Sequence, residues 1–245
     1  IFRAKGRPAD NPLIVHVSDQ YMLPRLVERI PLPAKRLMDR FWPGPLTVVL
    51  QKLPSVPAIV SAGLHTVAVR MPSHAAAHDL IARLGSPIAA PSANSSGKPS
   101  PTTAQHVLDD MAGRIPLVLD GGACSSGVES TVVDMTTNVP VLLRPGAITP
   151  DMLLSVLDEL TIASAVMRPL AKGERAPSPG MRHRHYAPDA PMMIIQAPPE
   201  EIVHALASQY DLAEAQGQNP YILCLADDVS RFQGRRVVNI GHATE

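Results

Sequence analysis

Four cations stand beside turns built from proline and glycine: Lys5 and Arg7 in KGRP, Arg70 in RMP and Arg144 in RPG. Arginine suits carboxylate and phosphate because its planar fork donates two parallel hydrogen bonds and never loses its charge. Two stretches of small, hydroxyl-rich residues accompany them, IAAPSANSSGKPSP at 88–101 and GGACSSGVEST at 121–131. A short strand, a small polar loop and a helix, in that order, offer backbone N–H groups and hydroxyls to an anion. The chemistry these residues point to is the fixing of anionic groups. Each signal has an ordinary counterpart. Ser/Gly/Pro loops are common turn chemistry, most Lys and Arg are solvated surface, and His16, inside the apolar run LIVHV, is as compatible with a satisfied core histidine as with a ligand.

Other chemistries find less support. Cys124 lies in the second loop, but no local signature makes it a thiol nucleophile. His183 and His185 are two apart in a proline-rich stretch, poor spacing for a helical metal site. Neither GxxxxGK[ST] nor GxGxxG occurs. The two cysteines, Cys124 and Cys224, are far apart in sequence and fit free thiols in a reducing compartment. Lys plus Arg equals Asp plus Glu at 22 each, so a generic polyanion binder is disfavoured while a local basic groove is not. Aromatic residues make up 3%, which argues against base stacking on single-stranded nucleic acid. With no apolar run of membrane-spanning length and no signal peptide, a cytoplasmic protein without a membrane partner is expected.

The elements that must position these groups follow from apolar periodicity and punctuation. The 245 residues carry 45% hydrophobic residues and 26 prolines, which punctuate many short elements. Strands are expected at 13–17, 46–50, 66–70, 88–90 and 117–120, with a hairpin pair at 130–135 and 139–144. Helices are expected at 23–30, 34–41, 74–84, 102–112 and 149–160, with Thr102 or Thr103 capping the fourth and Thr149-Pro150 opening the fifth. Residues 1–7 read as the end of a helix already under way. Residues 167–191 have no apolar periodicity and read as a linker. Beyond them, strands at 192–196, 221–226 and 237–240 and a helix at 200–209 predict a small, partly parallel α/β unit.

Taken in order, several motifs resemble one family, the Sua5/YrdC/YwlC proteins. KGRP with NPLIVH at 11–16, PGPLT at 43–47, TVAVRMP at 66–72, PSAN at 91–94, STVVD at 130–134 and RPG at 144–146 carry the likeness. The stretch SPGMRHRHYAP at 178–188 is similar to the linker of the long, Sua5-type members. The resemblance covers residues 1 to about 195 strongly and the rest by position. It implies an α/β fold in which a twisted mixed sheet bears a concave basic groove, at 1–166, with a smaller Rossmann-like α/β domain at 192–245. The linker at 167–191 would cross the groove.

The activity implied is that of an L-threonylcarbamoyladenylate synthase, joining L-threonine, bicarbonate and ATP into threonylcarbamoyl-AMP with release of pyrophosphate. The product would pass to threonylcarbamoyl transferase machinery that modifies adenosine 37 of tRNA, and direct tRNA binding is left open. By resemblance, Lys5 and Arg7 would face bicarbonate and phosphates. Arg7, Asn11, Thr66, Ser92, Ser100 and Arg144 would hold ATP, and Asn94 would support the Ser92 loop or touch phosphate. His16, Arg70, Ser130 and the backbone at Ala90 would hold threonine, and His185 or Tyr186 would close over the nucleotide. Mg²⁺ would arrive with the triphosphate. One departure is that the family's PTxTVYGLG segment is missing before KGRP, so both ends of a longer protein are expected to lie outside these residues. Two other readings compete. One is a non-catalytic ATP- or RNA-binding protein of the same fold. The other is the carbamoyl transfer of hydrogenase-maturation proteins, whose zinc-finger-like CxxC pairs are absent here.

Overall fold

The computed structural model describes residues 1–167 and 190–242. In chain order the elements are α1 (Phe2–Lys5), β1 (Ile14–His16), α2 (Leu32–Phe41), β2 (Leu46–Gln51), α3 (Ala58–Ser61), β3 (Thr66–Arg70), α4 (Ala75–Leu84), β4 (Ile88–Ala90) and α5 (Ala104–Met111). Then come β5 (Thr131–Asp134), β6 (Val141–Arg144), α6 (Pro150–Leu154), β7 (Thr161–Ile162), α7 (Ser164–Met167), α8 (Ile202–Ala215), β8 (Ile222–Cys224) and β9 (Val237–Asn239). The chain divides into two compact units, Ile1–Asp189 and Ala190–Glu245.

The first unit is a seven-stranded mixed sheet in the order β4-β1-β3-β2-β5-β6-β7. Its central strands are continuous apolar runs; five of the six residues of β2 are buried. Such runs need cover on both faces, and two clusters supply it. The larger lies on the face of Val15, Val48, Val69 and Val133 and receives α2. In α2, Ala34, Leu37, Met38 and Phe41 recur at i, i+3, i+4 and i+7, so one stripe is buried while Lys35, Arg36, Asp39 and Arg40 face water. The smaller cluster, around Val49, Ala68, Val132 and Leu143, covers only part of the other face. The rest of that face is left for polar residues at one end of the sheet.

Register decides which residues those are. His16 pairs with Arg70, Arg70 with Thr47, Thr47 with Val132, and Val132 with Arg144. Directly paired residues of neighbouring strands share a face, so these five form one row across five strands. Arg144 joins the row through a bulge. Val133 pairs with Leu142 while Val132 pairs with Arg144, so Leu143 is the extra residue. Simple alternation would place Arg144 on the same face as Leu142; the bulge turns it to the other face.

Several expected elements change. Residues 23–30 are not an α-helix: a 3-10 helix spans Gln20–Arg25, and Val27 then forms a bridge with Lys52. The expected strand at 117–120 is irregular, with Leu117 and Leu119 exposed, and the helix from Pro150 stops at Leu154. In the second unit β8 and β9 pair in parallel, as expected, but residues 192–196 form no strand and 226–231 form a 3-10 helix. Its small core is Tyr210, Ile222, Cys224 and Phe232. Among the described residues, no helix is long and apolar enough to cross a membrane.

The turn after β6 is a close approach of two backbones. A Cβ placed on Gly146 would come within 2.4 Å of the Glu129 carbonyl oxygen and 2.5 Å of the Thr131 nitrogen. Thr131, fully buried, holds that turn, its hydroxyl donating to the Ile148 carbonyl at 2.8 Å and accepting from the Ile148 N–H at 3.1 Å. Gly146→Ala is expected to lower stability by roughly 1–3 kcal/mol through overpacking. Gly127→Ala, where a Cβ would meet nothing within 4 Å, should leave the denaturation midpoint nearly unchanged. Chemical denaturation of both variants checks this.

Candidate active site

The polar row opens into a cleft of about 340 Å³, a size typical of small-molecule sites. Arg7, His16, Arg70, Ala90, Ser92, Ser100, Ser130 and Arg144 line it, together with residues 124–129 of the second small-residue loop. His16 and Arg70 come from the ends of adjacent parallel strands, and Arg144 from the end of β6. Ser130 immediately precedes β5. The sheet order brings all four to one end.

Each guanidinium is fixed by backbone carbonyls. Arg7 donates from Nε to Asn11 O at 3.2 Å and from Nη2 to Pro12 O at 2.6 Å. Arg70 donates from Nε to Gly44 O at 3.0 Å, within the Trp42–Pro45 turn whose Trp42-Pro43 peptide is cis. Arg144 donates from Nε and Nη2 to Ser130 O, at 3.0 and 2.9 Å, and from Nη2 to Ser130 Oγ at 3.0 Å. The Ser130 hydroxyl also meets the buried Thr47 hydroxyl at 2.7 Å. Burial first, and then the neighbouring Arg144 cation, push the Arg70 guanidinium below its ordinary pKa. Like charges held together in a partly desolvated cleft are stabilised when an anion enters.

His16 is a neutral member of this cluster. Its Nε2 lies 3.3 Å from Ala90 O, and since a carbonyl only accepts, Nε2 carries the hydrogen and Nδ1 is left as an acceptor. Burial, then the Arg70 charge, push its pKa down to about 4, although the Ala90 carbonyl opposes this.

Two of the candidate residues, Lys5 and Asn94, lie beneath the 91–98 loop, outside the cleft lining. Lys5 is buried rather than solvated, and it does not line the cleft. Its Nζ donates to Ser92 O, Asn94 O and, at 3.4 Å, Asn94 Oδ1. Burial, then Arg7, lower its pKa to about 8. Asn94, also buried, donates from Nδ2 to Ser95 O at 3.0 Å and Lys98 O at 2.8 Å. Together they hold the 91–98 loop from beneath. Asn11 is buried outside the cleft lining, and its carbonyl accepts from Arg7. Thr66 pairs with Gln51 at the opposite end of β3 from Arg70. It lies four residue steps of about 3.3 Å each from Arg70 along the strand, and it does not line the cleft. His185 and Tyr186 lie outside the described residues.

Some cleft residues were not singled out by residue type. Glu129 lines the cleft and accepts from the Ser100 hydroxyl, and His74 Nε2–H donates to Gly121 O at 3.0 Å. Thr47 acts through Ser130. The available signal for Glu129 was its place as the one acidic residue of GGACSSGVEST. Among the described residues, no group of three or more His, Cys, Asp or Glu side chains could hold a metal ion.

A mixed sheet with a guanidinium-lined cleft at one end defines an α/β protein whose cleft has the chemistry to suit anionic small molecules. Comparison with known proteins makes this specific. The Sua5/YciO/YrdC family model, described as Telomere recombination, matches residues 1–146. The model described as Threonylcarbamoyl-AMP synthase, C-terminal domain, matches residues 148–244. The chain belongs to the Sua5/YciO/YrdC family. It is 50% identical over 205 residues to a threonylcarbamoyl-AMP synthase of Pyrococcus abyssi, covering 82% of this chain and 59% of that protein. It is 49% identical over 207 residues to a threonylcarbamoyl-AMP synthase of Bacillus subtilis, covering 84% and 59%. The chain thus spans about 59% of the length of these relatives. Among solved structures, P. abyssi Sua5 complexed with L-threonine matches with a TM-score of 0.91 and 43% identity, covering all of this chain and 70% of that one. E. coli YciO matches with a TM-score of 0.54 and 25% identity over 60% of this chain and 71% of that chain.

The depressed His16 pKa has a consequence for stability. The unfolded chain takes up the proton near pH 6.5 and the folded chain only near pH 4, so the unfolded state binds more protons between these values. His16 therefore contributes stability that is complete above pH 6.5 and lost as the pH falls toward 4, by up to about 3 kcal/mol. His16→Gln is expected to flatten the stability–pH curve in that window. Urea midpoints measured from pH 7 to pH 4 check this; an unchanged slope would contradict a buried neutral His16.

Proposed function

We propose that the protein is a threonylcarbamoyl-AMP synthase, joining L-threonine, bicarbonate and Mg-ATP into threonylcarbamoyl-AMP, pyrophosphate and water. The observation that carries this reading is the row His16–Arg70–Thr47–Arg144, with Ser130, at one end of the sheet, in a chain half identical to proteins of that name. The substrates are an amino-acid carboxylate, bicarbonate and a triphosphate, and a cleft of fixed guanidiniums and loop N–H groups is suited to hold all three together.

The roles follow from position. Arg70, tethered through Nε, presents the remaining edge of its fork to the threonine carboxylate. His16 offers Nδ1 as an acceptor for the threonine hydroxyl. Ser130 and the Ala90 backbone complete that pocket. Arg7, Ser92, Ser100 and Arg144 hold the phosphates. Lys5 and Asn94 act by positioning the Ser92 loop. The amine of threonine condenses with bicarbonate, and the resulting carbamate oxygen attacks the α-phosphorus of ATP, expelling pyrophosphate. Mg²⁺ rides on the triphosphate, since this ion is commonly held by phosphates and water.

In the same reading, residues 1–166 are the catalytic domain, 167–191 the linker and 192–245 part of a C-terminal domain. The protein works in the cytoplasm and hands its product to a threonylcarbamoyl transferase acting on tRNA.

The test is pyrophosphate release from Mg-ATP by the full-length protein, with and without L-threonine and bicarbonate. Release requiring both is expected; binding of ATP without threonine-dependent turnover would favour a non-catalytic nucleotide binder. Arg70→Ala should weaken L-threonine binding roughly tenfold or more and Mg-ATP binding much less, because a charged hydrogen bond contributes about 1.5–3 kcal/mol. Titration calorimetry separates the two, and equal losses would contradict the carboxylate role.

A further inference from the structure

We propose that the Glu129 carboxylate receives the α-ammonium group of the amino-acid substrate. This rests on the reading of the cleft as an amino-acid site and adds a contact to it. Among the described residues, Arg7, Arg70 and Arg144 line the cleft, and Glu129 is the one carboxylate that lines it. An amino acid enters as a zwitterion. Its carboxylate finds a guanidinium, but its ammonium needs an acceptor, and a cationic wall alone repels it. Ala90 O already accepts from His16, leaving it at most a shared acceptor.

Glu129 is placed to serve. Among the described residues no ion pair joins its carboxylate to a cation; its hydrogen bond comes from the neutral Ser100 hydroxyl. The negative charge therefore stays available, and Ser100 orients it. Its backbone is held as well. The Glu129 carbonyl is packed against Gly146, and Ser130, the next residue, is fixed by Arg144 and Thr47. A carboxylate on such a support keeps its position without a counter-ion of its own. It lines the same cleft as Arg70, His16 and Ser130, where the carboxylate of the same substrate would be held.

The discriminating experiment uses the full-length protein and two ligands, L-threonine and its deaminated analogue, in which a hydroxyl replaces the amine. Calorimetry measures both, and Mg-ATP, for wild type, Glu129→Gln and Ser100→Ala. Glu129→Gln is expected to weaken L-threonine binding roughly 10- to 100-fold, as for loss of a charged hydrogen bond, while the analogue and Mg-ATP change by no more than about threefold. Ser100→Ala, which keeps the charge, should retain the preference for threonine over the analogue. Should Glu129→Gln fail to fold, Glu129→Asp is read the same way, with a smaller loss confined to threonine. Equal losses for threonine and the analogue, no loss at all, or a loss confined to Mg-ATP (a magnesium contact instead) would each overturn the proposal. Wild-type protein that binds Mg-ATP but not threonine would overturn the amino-acid reading of the cleft and this contact with it. Threonine binding that survives Glu129→Gln overturns the contact alone.

Discussion

The hydrogen bonds that tie three guanidiniums to backbone carbonyls are what the rest of the site depends on. Arg7 is held by Asn11 and Pro12, Arg70 by Gly44 and Arg144 by Ser130. An arginine fixed by a backbone carbonyl loses much of its rotamer freedom before a ligand arrives. Burial first, and then the neighbouring Arg144, lower the pKa of Arg70. An anion beside Arg70 would offset both effects. The apolar sheet beneath supplies the stability that allows such a cluster to persist.

The carbonyls that do the holding belong to turns, and the turns are rigid for local reasons. Pro43 and Pro45 flank Gly44 on the entry to β2. Gly146 gives the β6 exit its close contact with the Glu129–Thr131 backbone. The 91–98 loop is different. Its carbonyls converge on one buried ammonium, Lys5, with Asn94 bridging Ser95 and Lys98. A lysine that reads as solvated surface is here the centre of a loop, where its amine satisfies acceptors that would otherwise be buried without partners.

Much of the scaffold was legible from apolar runs and punctuation. β2, β3, β4 and the β5–β6 pair fall where their runs predict, and α2, α4 and α5 end where a proline-rich turn or glycine stops them. The failures share a cause. Residues 117–120 and 192–196 have strand-like composition, but a strand needs a partner, and none pairs with them among the described residues. Residues 23–30 have helical spacing, yet Val27 bridges Lys52, just past the end of β2, instead. In each case tertiary pairing overrode local preference.

The sequence by itself determined which cations and hydroxyls were available, that they sit beside turns, and, through the order of its motifs, the family. Residue type and spacing along a chain carry that much, because side-chain chemistry and turn geometry are local. Which of them meet was decided only by the tertiary structure. Strand register sets His16, Arg70 and Thr47 in one row, a bulge at Leu143 turns Arg144 onto the same face, and the length of β3 takes Thr66 away from it. A one-residue shift in pairing moves a side chain to the opposite face of a sheet, and no local pattern fixes pairing between strands dozens of residues apart. The fold likewise buries Lys5 beneath the 91–98 loop and brings Glu129 into the same cleft lining as Arg7, Arg70 and Arg144.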